Sequence, residues 1–156
     1  MEKGKVDFLK TQFVPMLKQI PSDMLPHWGK MSLQQMVEHF TDAVRLASGK
    51  VQATKIVTPE EQLPKMKAFI MSDKPFRENT VNPLLPEAPA PVRNKTIDGA
   101  FDELEKELHF FFSVFEDNHQ QVTRNPIFGD LDYEHNVTLL YKHARHHLRQ
   151  FGVTVQ

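Results

Sequence analysis

Apolar residues recur at helical spacing in four stretches of this chain. The first is Val6, Leu9, Phe13, Leu17 and Ile20, which predicts a helix from about Val6 to Ile20. Pro15 lies inside it and is expected to kink or split it, because proline has no backbone N–H to donate and its ring crowds the preceding turn. The second stretch, "SLQQMVEHFTDAVRLASGK", puts Leu33, Met36, Val37, Phe40, Ala43, Val44 and Ala47 on one face. Ser32 is its candidate N-cap, and Gly49 suits the left-handed residue that closes a helix. The third, "IDGAFDELEKELHFFFSVFED", carries a long stripe of Ile97, Phe101, Leu104, Leu108, Phe111 and Phe115. The fourth begins after Asp132, a candidate N-cap, and stops at Gly152.

No alternating Val/Ile/Thr run is bounded by turns, so no strand is expected, and the fold class predicted is all-α. Between the second and third helices lie about 45 residues containing Pro59, Pro64, Pro75, Pro83, Pro86, Pro89 and Pro91. Within them only "LPKMKAFIMSD" predicts a short helix. A connection of that length is unusual in a compact domain. It fits a four-helix bundle whose second and third helices run parallel, because the crossover must then travel the length of the bundle. The 156 residues are read as a single domain, 1–156.

The buried face of the fourth helix contains imidazoles. With Leu140 at its centre and about 100° per residue, Tyr133, Asn136, Val137, Leu140, His143, Ala144, His147 and Phe151 fall on the inner side. Lys142, Arg145 and Arg149 fall opposite, which predicts a solvated basic stripe. His146 falls on the flank. His143 and His147 are one turn apart, with Cβ atoms about 5–6 Å from each other. On the second helix His39 lies at the edge of the apolar face, beside Ala43 and Leu46. A buried imidazole needs hydrogen-bond partners or a metal. From spacing alone the three histidines are either satisfied core residues or ligands of one ion. As neutral imidazoles they suit zinc, nickel, iron or copper and leave positions open for water or substrate.

Composition narrows the chemistry. The net charge is −1 and no block of like charge stands out, so nucleic-acid binding is not expected. There is no cysteine, which excludes disulfides, thiolate metal sites and a cysteine nucleophile; any thiol would have to come from a small molecule. No apolar run is long enough for a membrane span or a signal peptide, and a cytoplasmic location is expected.

The segments "HWGKMSLQQMVEHF" (27–40) and "NPIFGDLDYEHNVTLLYKHARHHLRQFG" (125–152) resemble the DinB-like superfamily. They are most similar to a branch of unknown function with a W-G-K-M-S…H motif, a P-x-F-G turn and a K-H-x-x-H-H-x-x-Q-F-G end to the last helix. The proline-rich "KPFRENTVNPLLP" belongs to the same resemblance. It implies an up-down-down-up four-helix bundle, often dimeric. It also implies a divalent metal held by one histidine of the second helix and an H-x-x-x-H pair of the fourth. Carried over, these are His39, His143 and His147. Related proteins include transferases and isomerases that use low-molecular-weight thiols, and hydrolase-like members. The resemblance thus implies a metal-dependent enzyme with a small-molecule substrate. The alternative is a non-catalytic dimeric bundle with a structural metal or a small ligand.

Two positions depart from the pattern: Asn125 stands where a histidine often precedes the P-x-F-G turn, and Arg145 where an acidic residue is common. A general base is not evident. Asn136 and Gln150 are candidate substrate contacts, and Asp42 a carboxylate that could support a ligand from behind. Trp28 is expected to pack across the top of the first two helices, and Phe128–Gly129 to form a plugged turn. His109, His119 and His135 read as surface residues. The phenylalanines at 110–112 exceed one narrow stripe, which predicts a homodimer with Phe110 or Phe112 facing the partner.

Overall fold

The computed structural model describes residues 2–78 and 88–155 and is mostly helical. The chain begins with α1 (Glu2–Asp7), a π-helical stretch (Phe8–Gln12) and α2 (Phe13–Lys18). The irregularity expected from Pro15 therefore falls one turn upstream. Pro15 cannot donate to the carbonyl of Thr11, and the helix widens there, with the Phe13 N–H reaching back to the Phe8 carbonyl.

Helix α3 spans Leu33–Ser48 and starts with a full capping box. The Ser32 hydroxyl accepts from the Gln35 N–H, and the Gln35 side chain accepts from the Ser32 N–H. It closes on Gly49 at φ +79°, a conformation that favours glycine. A short 3-10 turn (Glu60–Gln62) leads into α4 (Leu63–Met71), the one helix expected within the crossover. Pro83 and Pro86 lie outside the described residues. Helix α5 (Ile97–Asp117) is capped by Thr96, and α6 (Tyr133–Gln150) by Asp132, whose carboxylate accepts from the His135 N–H.

The apolar stripes read from the sequence form one core. Leu9, Phe13, Leu17, Met36, Phe40, Val44, Leu104, Phe111, Phe115, Val137, Leu140 and Phe151 are all buried within it. Each such side chain contributes about 1.5–3 kcal/mol through removal from water. Polar contacts give the helix directions. Glu38 meets Arg93 and Asn94 ahead of α5, while Arg45 and Lys50 meet Glu103 and Glu107 further along it. Helices α3 and α5 therefore run parallel. Lys10 pairs with Glu116 and Lys18 with Glu105, so the first helical segment runs antiparallel to α5.

Two expectations need correction. A small antiparallel hairpin is present, β1 (Thr123–Asn125) with β2 (Gly129–Leu131), where no strand was expected. Strands of three residues are too short to show an alternating pattern. The Asn125 carboxamide oxygen accepts from the N–H groups of Ile127 and Phe128 and builds the turn, with Gly129 at φ +86°. The hairpin has a structural use. The Thr123 hydroxyl donates to the Ala47 carbonyl and accepts from Asn136, joining the end of α3 to the start of α6.

Lys142 is buried rather than solvated. Helix α4 folds back over the side of α6 that the helical wheel left outermost. The Lys142 ammonium donates to the carbonyls of Ser72 and Lys74 and lies 4.4 Å from the centre of the Phe69 ring. Burial lowers its pKa, opposed by the charge of Asp73.

The apolar surplus of α5 is mostly spent inside the chain. Phe111 and Phe112 are buried, and Phe110 is the exposed one, with the Lys50 ammonium over its ring. Among the described residues no helix is long and apolar enough to cross a membrane.

Candidate metal centre

His39 stands midway along α3, and His143 and His147 stand in the last two turns of α6. The fold fixes both ends of α6 against its neighbours. Thr123 and Asn136 hold the first end, as described above. At the other end the His27 N–H donates to the Gln150 carbonyl, and the Gln150 carboxamide donates to the Trp28 carbonyl at 3.0 Å. Gly29, at φ +78°, lets this turn approach closely; a Cβ there would sit 3.0 Å from the Gln150 nitrogen. Between these anchors the three imidazoles converge as the spacing predicts.

All three present the same atom. His39 Nε2 lies 3.3 Å from His143 Nε2, and His147 Nε2 lies 2.7 Å from it. Each residue offers a ring nitrogen within 4.8 Å of the others. His147 is buried, while His39 and His143 are half-buried. Phe40, fully buried, backs the His143 ring at 5.0 Å between centroids.

Protons alone satisfy this arrangement poorly. The Gln150 amide is oriented by its bond to Trp28, so its oxygen accepts from His147 Nδ1 at 2.8 Å. That fixes the hydrogen of a neutral His147 on Nδ1 and leaves a lone pair on Nε2. His143 Nε2 must then donate to His147, and it has no second hydrogen or lone pair to answer His39. A cation at the centre meets three lone pairs at once. Nitrogens placed tetrahedrally at about 2.0–2.1 Å from an ion lie about 3.3–3.4 Å apart. The His39–His143 separation matches that spacing, and the His143–His147 pair has to open by roughly half an ångström. The donor set fits a divalent transition metal.

The environment keeps the rings neutral, as ligation requires. Burial lowers the pKa of His143 and His147 well below the ordinary imidazole value, reinforced by the neighbouring histidines. For His39 burial again dominates, opposed by Asp42. His146 is pushed down to about 4 by burial, with Arg149 and His39 adding to the effect.

Other expected contributors lie elsewhere or serve other ends. Asn136 donates to Thr123, Leu131 and Asp132 and is a structural tie. Gln150 orients His147 rather than facing a substrate. Asp42 is exposed and pairs with Arg45 and Arg93. Trp28 stands against His146 of α6, at 5.4 Å between ring centroids. His109 and His119 are exposed, and His135 bonds to Asp132.

The sequence reading also passed over Glu38. Its buried carboxylate accepts from the Arg93 and Asn94 N–H groups and from the side chains of Gln34 and Asn94. Burial raises its pKa, but these donors together outweigh it and hold the group below its usual value. A glutamate beside a ligand on an amphipathic helix was the available signal. No family model, curated protein or solved structure matches the chain.

Proposed function

We propose that this chain is a DinB-like four-helix bundle, running up-down-down-up, that holds one divalent transition metal at His39, His143 and His147. Zinc, nickel and iron are the candidate ions. The reaction class we assign is metal-dependent transfer or hydrolysis on a small molecule, with a low-molecular-weight thiol as the candidate co-substrate. The parallel course of α3 and α5 and the long crossover between them support the bundle topology.

The observation that carries the metal reading is the meeting of three Nε2 atoms that hydrogens cannot all satisfy. A divalent ion bound there supplies Lewis acidity, lowering the pKa of a small donor molecule so that it becomes a nucleophile near neutral pH. The protein's own residues prepare the site. Gln150 holds the His147 ring and its tautomer, Phe40 backs His143, and burial keeps the imidazoles unprotonated. Among the described residues three histidines, and no fourth protein ligand, form the cluster, which leaves coordination free for a substrate.

A non-catalytic metal- or ligand-binding bundle is the second reading. It is favoured by the structural engagement of Asp42, Asn136 and Gln150, which leaves none of them as a general base or substrate contact. Cobalt(II) titration separates the two. An open site takes up one equivalent, and its visible absorption bands shift when azide is added. Uptake with bands indifferent to azide supports the structural reading, and no uptake refutes both metal assignments.

A further inference from the structure

Three half-buried aromatic side chains stand beside the histidine centre and outside the hydrophobic core. The His146 ring lies 5.4 Å from Trp28, 5.7 Å from Phe76 and 5.1 Å from His147, between centroids. The Phe76 ring is also edge-on to His143 at 6.0 Å. Phe40 occupies the core side of His143, so Phe76 marks the outer side. His39 and His143 are half-buried too.

Phe76 is held there from below. The Lys142 ammonium donates to the carbonyls of Ser72 and Lys74, fixing the chain just before Phe76, and the Phe69 ring packs against Phe76 at 5.5 Å. Trp28 is held through its carbonyl by Gln150. Both rings are therefore positioned by dedicated contacts, although neither is needed to complete the core. One polar atom in this group is unsatisfied. Nδ1 of His146 is buried and has no hydrogen-bond partner among the described residues. Such an atom costs about 1–3 kcal/mol when left unpaired, and native structures seldom leave one without cause.

We propose that Trp28, Phe76 and His146 form a recognition rim for the organic part of the ligand that enters the open side of the histidine centre. The three rings contact a flat apolar or aromatic group carried by that ligand. The ligand class is a small molecule that joins a metal-binding head to an aromatic or flat apolar ring. This rests on the metal reading above. A rim of two aromatic faces favours ring-bearing ligands over their methyl counterparts, because ring contacts add to simple burial.

Benzohydroxamate and acetohydroxamate share one metal-binding head and differ in the ring, so they test the rim on the zinc-loaded full chain by calorimetry. Benzohydroxamate is expected to bind at least about tenfold more tightly. His146→Ala and Phe76→Ala should each cut that advantage to about threefold or less while acetohydroxamate affinity holds. Phe76→Leu, which keeps apolar bulk without a ring, guards against a folding defect and should behave like Phe76→Ala. Trp28 is the sole tryptophan, and its fluorescence should respond to benzohydroxamate more than to acetohydroxamate. Equal affinities in the wild-type protein overturn the rim and leave the metal reading standing, as does an advantage undiminished in the variants. Failure to take up zinc refutes the metal reading and the rim with it.

Discussion

Gln150 accepts a hydrogen bond from Nδ1 of His147 at 2.8 Å, and its own amide direction is set by donation to the Trp28 carbonyl. This contact decides which nitrogen of His147 faces the other two imidazoles. It also ties the W-G turn before α3 to the last turn of α6, so the end of the fold and the tautomer of a ligand are fixed by one side chain.

Replacing Gln150 by Ala frees the His147 ring to rotate and to change tautomer. Metal affinity should fall by about 10–100-fold, the usual effect of losing a ligand's outer hydrogen bond. Competition with a chelator of known affinity measures it. Affinity within about twofold of the wild-type value would show that packing alone orients His147.

Acid should destabilise the metal-free protein before any carboxylate titrates. The folded pKa values of His39, His143, His146 and His147 are depressed relative to the ordinary imidazole near 6.5. Above that pH both states are neutral and the histidines impose no pH dependence. Below it the unfolded chain takes up protons that the folded chain refuses, so stability falls as pH drops. For His146 the loss runs down to about 4, where the folded state also protonates. Urea midpoints of the metal-free protein should therefore decline between about pH 6.5 and 5. A flat profile there would show that the rings are less buried than the fold requires.

Lys142→Ala should destabilise the protein by about 1–3 kcal/mol, because two carbonyls beyond α4 lose their donor and the Phe69 ring loses its cation. Arg149→Ala, on the same outer side of the helical wheel, should cost under about 0.5 kcal/mol. Denaturant unfolding of both variants is the measurement. Equal, small effects would place Lys142 in solvent, as the sequence first suggests.

Glu38→Ala removes the acceptor for the Arg93 and Asn94 N–H groups and should cost roughly 2–4 kcal/mol. Amide exchange at Arg93 and Asn94 should accelerate together with the loss of stability. Unchanged exchange there would mean that other acceptors hold the return of the crossover.

The sequence disclosed the interior of the helices well, and their surroundings poorly. The stripe through Leu140, His143 and His147 was legible because a long regular helix repeats its buried face; Asp132 marked the start of that helix, and Ser32 and Gly49 the two ends of α3, by their own chemistry. His39 was legible once two inward histidines existed for it to meet. Lys142 was misjudged because a helical wheel shows one buried face and cannot show that α4 returns to cover another. Gln150 and Asn136 were placed on the right face with the wrong partners, since face does not specify which atoms meet. The hairpin escaped because three-residue strands carry no period. Glu38 escaped because its backbone donors, Arg93 and Asn94, lie 55 and 56 residues away in the chain.

The central claim is that His39, His143 and His147 bind one ion and that His146 does not. Metal content per chain, measured by elemental analysis after loading with zinc and removal of excess, tests it most directly. The wild-type protein and His146→Ala should each hold one ion per chain, while His39→Ala, His143→Ala and His147→Ala should hold none. Metal lost from His146→Ala and retained in His143→Ala, or no metal in the wild-type protein, would contradict the assignment.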